Sequence, residues 1–171
     1  MSSILDLGCG PFGKIDGSIG LDILSAPHVD VVHDLDVYPY PFEDNTFDQI
    51  EMSHIIEHIL QPAKAMEEIH RMSRPDALVH IVTPHYTSQL SYGDLTHYHH
   101  FGHVTFTHMC NSGKFRLERS RIIFTDFFRV LGVSLLANWF PRRWEKYASF
   151  VFPGMYVEVD LRVVKDKGEM S

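Results

Sequence analysis

The chain divides into short apolar runs separated by polar and glycine-rich stretches. "SILDLG" over residues 3–8 and "SIGLDI" over 18–23 have the length of strands, and "VDVVH" over 29–33 is a third, shorter one. "TFDQIEMS" over 46–53 follows, then "ALVHIVTP" over 77–84, which has the apolar run of a buried strand. "KFRLERSRIIF" over 114–124 and "MYVEVDLRVV" over 155–164 alternate apolar and polar positions. Elsewhere the period is helical. "HIIEHI" over 54–59 reads as a short helix. "PAKAMEEIHRMS" places Pro62 at a first helical position and Ala65, Met66, Ile69 and Met72 on one stripe, with Lys64 and Glu68 set to pair across a turn. Residues 126–150 are apolar and aromatic and predict two helical pieces around Pro141. Pro39 and Pro41 break "DLDVYPYPFEDN" into a loop, and 84–105 reads as a long loop. The last seven residues form a polar tail.

Strands alternating with helices predict an α/β domain with a mostly parallel sheet, and residues 1–171 are expected to form one domain. Ligands in such sheets bind outside the carboxyl ends of the strands. That directs attention to Gly8–Gly13, Asp22, Asp34, Ser53–His54 and the loop after Pro84. One connection is unusual. Only nine residues, 9–17, join the first two strands, and they include Gly10, Pro11, Gly13 and Gly17. A parallel crossover normally takes about a dozen residues or more and a helix, which this composition disfavours.

Composition narrows the function. A net charge of -7 argues against a general nucleic-acid binder. Two cysteines do not make a disulfide framework, no secretory leader is visible, and no apolar run is long enough to span a bilayer, so a cytoplasmic protein without stable membrane insertion is expected. The unusual feature is the twelve histidines.

Gly8, Gly10 and Gly13 literally fit G-x-G-x-x-G. A dinucleotide site needs a helix starting at that turn and an acid about 20 residues on. The helix has no room, and Asp22 comes too early. S-adenosylmethionine (SAM) fits better, because it carries no pyrophosphate. It needs a close backbone approach, which glycines permit, and an acid at the end of the second strand for its ribose hydroxyls, where Asp22 stands.

"ILDLGCGP", "IGLDI", "VVHDLDVYPYPFEDNTFDQIEMSHIIEHI" and "PAKAMEEIHRMSRPDALVHIVTPH" follow one another over residues 4–85. In that order the chain resembles the class I SAM-dependent methyltransferases of the small type 11 kind. It is similar to a shortened subgroup with a "YGDPTH"-like stretch, here "SYGDLTHYHHF". The resemblance implies a Rossmann-like three-layer sandwich with a mostly parallel sheet, truncated at the N-terminus and with its first crossover helix reduced to a loop. It places Asp6, Gly8, Cys9 and Gly10 at the methionine end of SAM, Asp22 on the ribose, Asp34 and Leu35 near adenine, and Ser53 and His54 facing the methyl group. The implied reaction moves the methyl of SAM to a small-molecule acceptor. The family's usual glycine pair before the fifth strand is replaced by Pro75-Asp76-Ala77. With the first helix gone, the cofactor must be covered by the 84–105 loop, the 126–150 segment or a second subunit.

The loop after Pro84 holds His85, His97, His99, His100, His103 and His108. Three readings stay open. The histidines are solvated loop residues; or His85 or His97, with Asp94 and Tyr92, binds the acceptor and takes its proton; or His97, His99, His103 and Asp94 hold a metal. "HIIEH" has the order of an inverted zincin motif, but the family has a similar stretch here, so His54 is read as a SAM-site residue and His58 as a packing or supporting one. His54, His85 and His97 are the candidate catalytic bases, and no metal ligand is assigned. The aromatic segment 126–150, with Arg142, Arg143 and Lys146, covers the sheet, forms a homodimer contact or an acceptor lid, or touches anionic lipid. Two alternatives to an enzyme remain: a non-catalytic SAM- or nucleoside-binding module acting in a complex, and a metal-binding protein built on the histidine loop.

Overall fold

A computed structural model describes residues 3–10 and 13–165. Seven strands form one sheet in the order β3-β2-β1-β4-β5-β7-β6. They are β1 (Ile4–Leu7), β2 (Ile19–Asp22), β3 (Val31–Val32), β4 (Phe47–Ser53), β5 (Ser73–Pro84), β6 (Phe115–Ile123) and β7 (Tyr156–Val163). β1 to β5 run parallel, and β7 runs antiparallel to both β5 and β6. The expected α/β architecture and mostly parallel sheet are therefore present. β1 and β2 are direct parallel neighbours, with Leu5 opposite Ile19 and Leu7 opposite Leu21. The described part of their connection contains no helix. Asp6 pins that loop instead, accepting a 2.9 Å bond from the Ile15 amide.

The register sorts the strand residues into two rows. Leu5, Leu7, Leu21, Ile50, Met52, Val79, Ile81, Val159 and Leu161 share one face and are fully buried. The helices pack there. α1 (Pro62–Met72) contributes Ala65, Met66, Ile69 and Met72, and α3 (His103–Met109) contributes Phe106 to the same core. A smaller cluster joins Ile122 and Phe124 to Ala137 of α5 (Val133–Trp139) and Trp144 of α6 (Pro141–Tyr147). The opposite row reads Gln49, Glu51, His80, Glu158, Asp160 and Arg162, all half-buried, and it contributes to neither cluster. Asp160 there accepts from His80 at 2.6 Å and from Arg119 at 2.8 Å. Among the described residues, the apolar row is the face on which α1, α3, α5 and α6 bury side chains. The physical reason is visible in the strands. They alternate apolar and polar positions, as in a sheet with one wet face, rather than running apolar throughout.

Other expectations change locally. The 84–105 loop contains α2 (Gln89–Tyr92) and the start of α3, and the 126–150 segment forms α4 (Asp126–Val130) as well as α5 and α6. Lys64 lies over the Tyr38 ring, and Glu68 instead binds Arg71 at 2.7 Å and the Tyr40 amide at 2.7 Å. Arg71 also donates to the carbonyls of Tyr40 and Phe42, which fastens the proline-rich loop to α1. The replaced glycine pair leaves Asp76 with φ 62°, a left-handed conformation in a residue type that tolerates it. Most of the expected polar tail lies outside the described residues.

Candidate functional site

The chain leaves β1 for β2 and β3 on one side, then returns to place β4 on the other side of β1. The carboxyl ends of β1 and β4 thus flank the point where strand order reverses, which is where open α/β sheets form a crevice. A cleft of about 410 Å³ lies there, lined by Gly8, Asp22, Ile23, His33, Asp34, Leu35, Asp36, Ile55, His58, Ile59, Leu60, Thr96 and Tyr98.

Gly8 turns the chain out of β1. Its φ is +69°, and a Cβ would lie 2.4 Å from Ile55 Cγ1, so both backbone and space require glycine. Asp22 ends β2 and is buried. One carboxylate oxygen accepts from the Gly10 amide and the other from the Leu24 amide, each at 2.9 Å. Each oxygen keeps a further lone pair for a ligand hydroxyl. Asp34 is exposed at the mouth, Leu35 forms an apolar wall with Ile55 and Ile59, and Asp36 accepts from the Leu60 amide at 2.9 Å. The far wall comes from the histidine loop. Tyr98 donates its amide to the Glu57 carbonyl at 2.9 Å, bringing Thr96 and Tyr98 over the cleft. That loop closes one side of the cleft.

The structure separates the expected cofactor residues. Gly8, Asp22, Asp34 and Leu35 line this cleft. Asp6, Cys9, Gly10 and Ser53 do not. Asp6 is taken up by the Ile15 amide, and burial, with the Asp22 charge, pushes its carboxyl pKa up. Burial and the Asp6 and Asp22 charges push the Cys9 thiol up. The Gly10 carbonyl accepts from His28 Nε2 at 2.7 Å. Ser53 is exposed at the end of β4.

His54 opens onto a second cleft of about 410 Å³, lined by His54, Glu57, Pro84, Leu90, Gly93, Asp94, His97 and Tyr156. Its φ is +55°, and its ring stands edge-on to Tyr156 at 4.9 Å. His97 shares this cleft, so two of the three candidate bases meet there. Thr96 donates from both its hydroxyl and its amide to Asp94, which holds that carboxyl below the usual range, and His97 and His58 reinforce the effect.

His85 is corrected. It is fully buried, away from both clefts. Its Nε2 donates to Glu145 at 3.2 Å, and its Nδ1 meets the Thr87 hydroxyl at 2.7 Å. Glu145 also receives the His103 and Val104 amides at 2.5 and 3.1 Å, capping the start of α3. Burial pushes the Glu145 carboxyl up, but His85 and the two amides outweigh it and hold it below the usual range. Gly102 makes room for this, since a Cβ there would lie 2.6 Å from Glu145 Oε1. This hub joins β5, α3 and α6.

The set His97, His99, His103 and Asp94 is not brought together. His99 Nε2 donates to the Leu60 carbonyl at 3.2 Å, and His103 Nδ1 meets Ser120 at 2.9 Å, with burial lowering its pKa. Sequence reasoning missed His33, Asp36, Ile55, Thr96 and Tyr98 in the first cleft. The second acid of "DLD" was the available signal for Asp36.

The fold is that of the class I SAM-dependent methyltransferases. It matches a SAM-dependent methyltransferase from Archaeoglobus fulgidus with TM-score 0.68 and 19% identity, over 94% of this chain and 86% of that one. A SAM-dependent methyltransferase from Mesorhizobium loti matches with TM-score 0.64 and 16% identity, over 94% and 90%. A methyltransferase from Haloferax volcanii, solved in complex with the Trm112 methyltransferase activator, matches with TM-score 0.65 and 15% identity, over 96% and 83%. In sequence, residues 21–81 match the family described as a methyltransferase domain. SAM is the cofactor this fold and family imply. No curated protein matches the chain.

Proposed function

We propose that this single-domain protein transfers the methyl group of SAM to a small-molecule acceptor. One observation carries the reading: at the strand-order reversal, Asp22 and Asp34 stand beside an apolar slot formed by Leu35, Ile55 and Ile59. That donor set suits a flat base with a sugar diol. When bound, SAM supplies an electrophilic methyl on a sulfonium. Asp22 accepts the sugar hydroxyls, Asp34 and Leu35 border the base, and Gly8 keeps the backbone turn narrow. Asp6 and Gly10 act one step back, since Asp6 fixes the 13–15 loop and Gly10 is tied to Asp22.

The second cleft adjoins the first through Glu57 and His58. An acceptor entering it meets His54 and His97, which are placed to take a proton from an oxygen or nitrogen nucleophile. Alignment of donor and acceptor and exclusion of water do most of the work in such displacements. Thr96 and Tyr98 supply that exclusion over the first cleft.

A homodimer through 126–150 belongs to the same proposal. Trp139 is 75% exposed and Phe150 80%, large apolar surfaces for an isolated chain. Sedimentation at rising concentration reads it, and a monomer throughout would remove it. No helix among the described residues is long and apolar enough to cross a membrane. A second reading, a SAM binder working within a complex, draws support from the same apolar surface. Formation of demethylated SAM across hydroxyl, amine, thiol and carboxylate acceptors separates the two. Acceptor-dependent turnover supports the enzyme, whereas SAM bound but never consumed supports the binder.

A further inference from the structure

Glu57 lies in the wall between the two clefts with its side chain only 2% exposed. Its Oε2 accepts from the Thr83 hydroxyl at 2.9 Å, and its Oε1 is buried with no hydrogen-bond partner. A buried carboxylate oxygen left unpaired is costly. It therefore marks a place where something else completes the site. His58 and His97 stand beside it, and one ligand atom from each of the three lies within 4.8 Å of the others.

Both imidazoles have one ring nitrogen committed to a donor role. His58 Nδ1 faces the Thr96 carbonyl at 3.2 Å and the Thr96 hydroxyl at 2.9 Å, and that hydroxyl donates its proton to Asp94 at 2.7 Å. His97 Nδ1 faces the Ser91 carbonyl at 3.3 Å. A carbonyl only accepts, so each Nδ1 carries the proton and each Nε2 keeps its lone pair. Metal-binding histidines are held in the same way, with the other ring nitrogen donating to a carbonyl or carboxylate. The geometry points to a divalent transition-metal site of the zinc type, with two imidazoles and one carboxylate as ligands and an open fourth position toward His54, whose Nδ1 is 3.5 Å from Glu57 Oε1. Two histidines and a glutamate with one open position match zinc used in catalysis rather than closed structural zinc. The site stands without the methyl-transfer reading; with the metal bound, His97 is a ligand and His54 alone remains the candidate base in the second cleft. Only the further role of polarising an acceptor atom in the second cleft rests on that reading, and titration with SAM tests that reading separately.

The test uses the full chain without a histidine tag, stripped with a chelator and titrated with Zn²⁺ against a chromophoric competitor, and with Co²⁺ for its visible spectrum. The expected result is one tight equivalent and an intense four- or five-coordinate Co²⁺ band. Affinity should fall at least tenfold in His58→Ala, His97→Ala and Glu57→Gln. His99→Ala, outside the cluster, should leave it unchanged. Circular dichroism checks that His97→Ala, a loop variant, remains folded. The absence of a stoichiometric site in the wild type overturns the inference. So does equal weakening by His99→Ala, which indicates diffuse binding by a histidine-rich loop.

Discussion

Two histidine–glutamate groups sit within one stretch of the fold and behave oppositely. At the hub, Glu145 is buried and every demand on it is met: His85, the His103 amide and the Val104 amide all donate to it. In the wall between the clefts, Glu57 is equally buried, but one of its oxygens has no hydrogen-bond partner, and the Nδ1 atoms of the neighbouring His58 and His97 are committed to carbonyls instead. The residue types are the same. Saturation separates a structural clamp from a site that can accept a ligand. Only the coordinates distinguish them, because residue type alone does not show which group is saturated.

The sharpest way to break the comparison is at the clamp. Glu145→Ala removes the helix cap and strands His85 in the core, and losing one member of a buried pair costs about 3–5 kcal/mol. Chemical denaturation should show that loss, with α3 the first element to lose amide protection. The matching change in the open group, His97→Ala, should cost less than about 0.5 kcal/mol, since the side chain lies in a surface loop and gives up one long bond. Similar costs for both would show that saturation does not separate them.

Gly8 ranks next. Gly8→Ala adds a Cβ 2.4 Å from Ile55 at a positive φ, for about 1–3 kcal/mol of overpacking and about 1–2 kcal/mol of left-handed backbone. Trimming the neighbour in Gly8→Ala/Ile55→Ala should recover the packing part and leave the backbone part. No recovery would mean that the glycine serves something other than closeness to Ile55.

Acid separates the clamp in a third and smaller way. Glu145 is held below the usual carboxylate range, so its contribution is present above that range and is lost as pH falls through the folded value. His103 is lowered by burial, so it binds a proton more readily when unfolded, and stability begins to fall once pH drops below about 6.5. Asp6, raised by burial, works in the opposite sense, adding stability at low pH that is lost as pH rises through its folded value. The melting temperature should therefore fall from pH 7 to pH 4. The part lost at the lowest pH should be smaller in Glu145→Gln, which leaves Asp6 and the other lowered carboxylates, Asp94 among them, untouched. Identical pH profiles for both proteins would contradict the sign given to Glu145.

Much of this was legible beforehand, for stated reasons. The strands and α1 follow from apolar period, and Asp22 from the position of an acid closing the run "IGLD", the last residue of β2. The helix-free crossover followed from its glycines and short length. What escaped was set by tertiary closure. The histidine loop reads as polar in sequence, yet it folds back through the Glu57 carbonyl and contributes Thr96 and Tyr98 to the first cleft. His85 looked catalytic because it follows a strand end, but Glu145, 60 residues away, draws it into the core. The wet row of the sheet was present in the alternation of β6 and β7.

The most direct measurement is a calorimetric titration of the full chain with SAM and with its demethylated product, for wild type and Asp22→Ala. One site in the wild type, weakened at least tenfold, about 1.4 kcal/mol or more, by Asp22→Ala is the predicted result. No binding of either compound to the wild type, or equal affinity in the two proteins, would contradict the assignment of the first cleft.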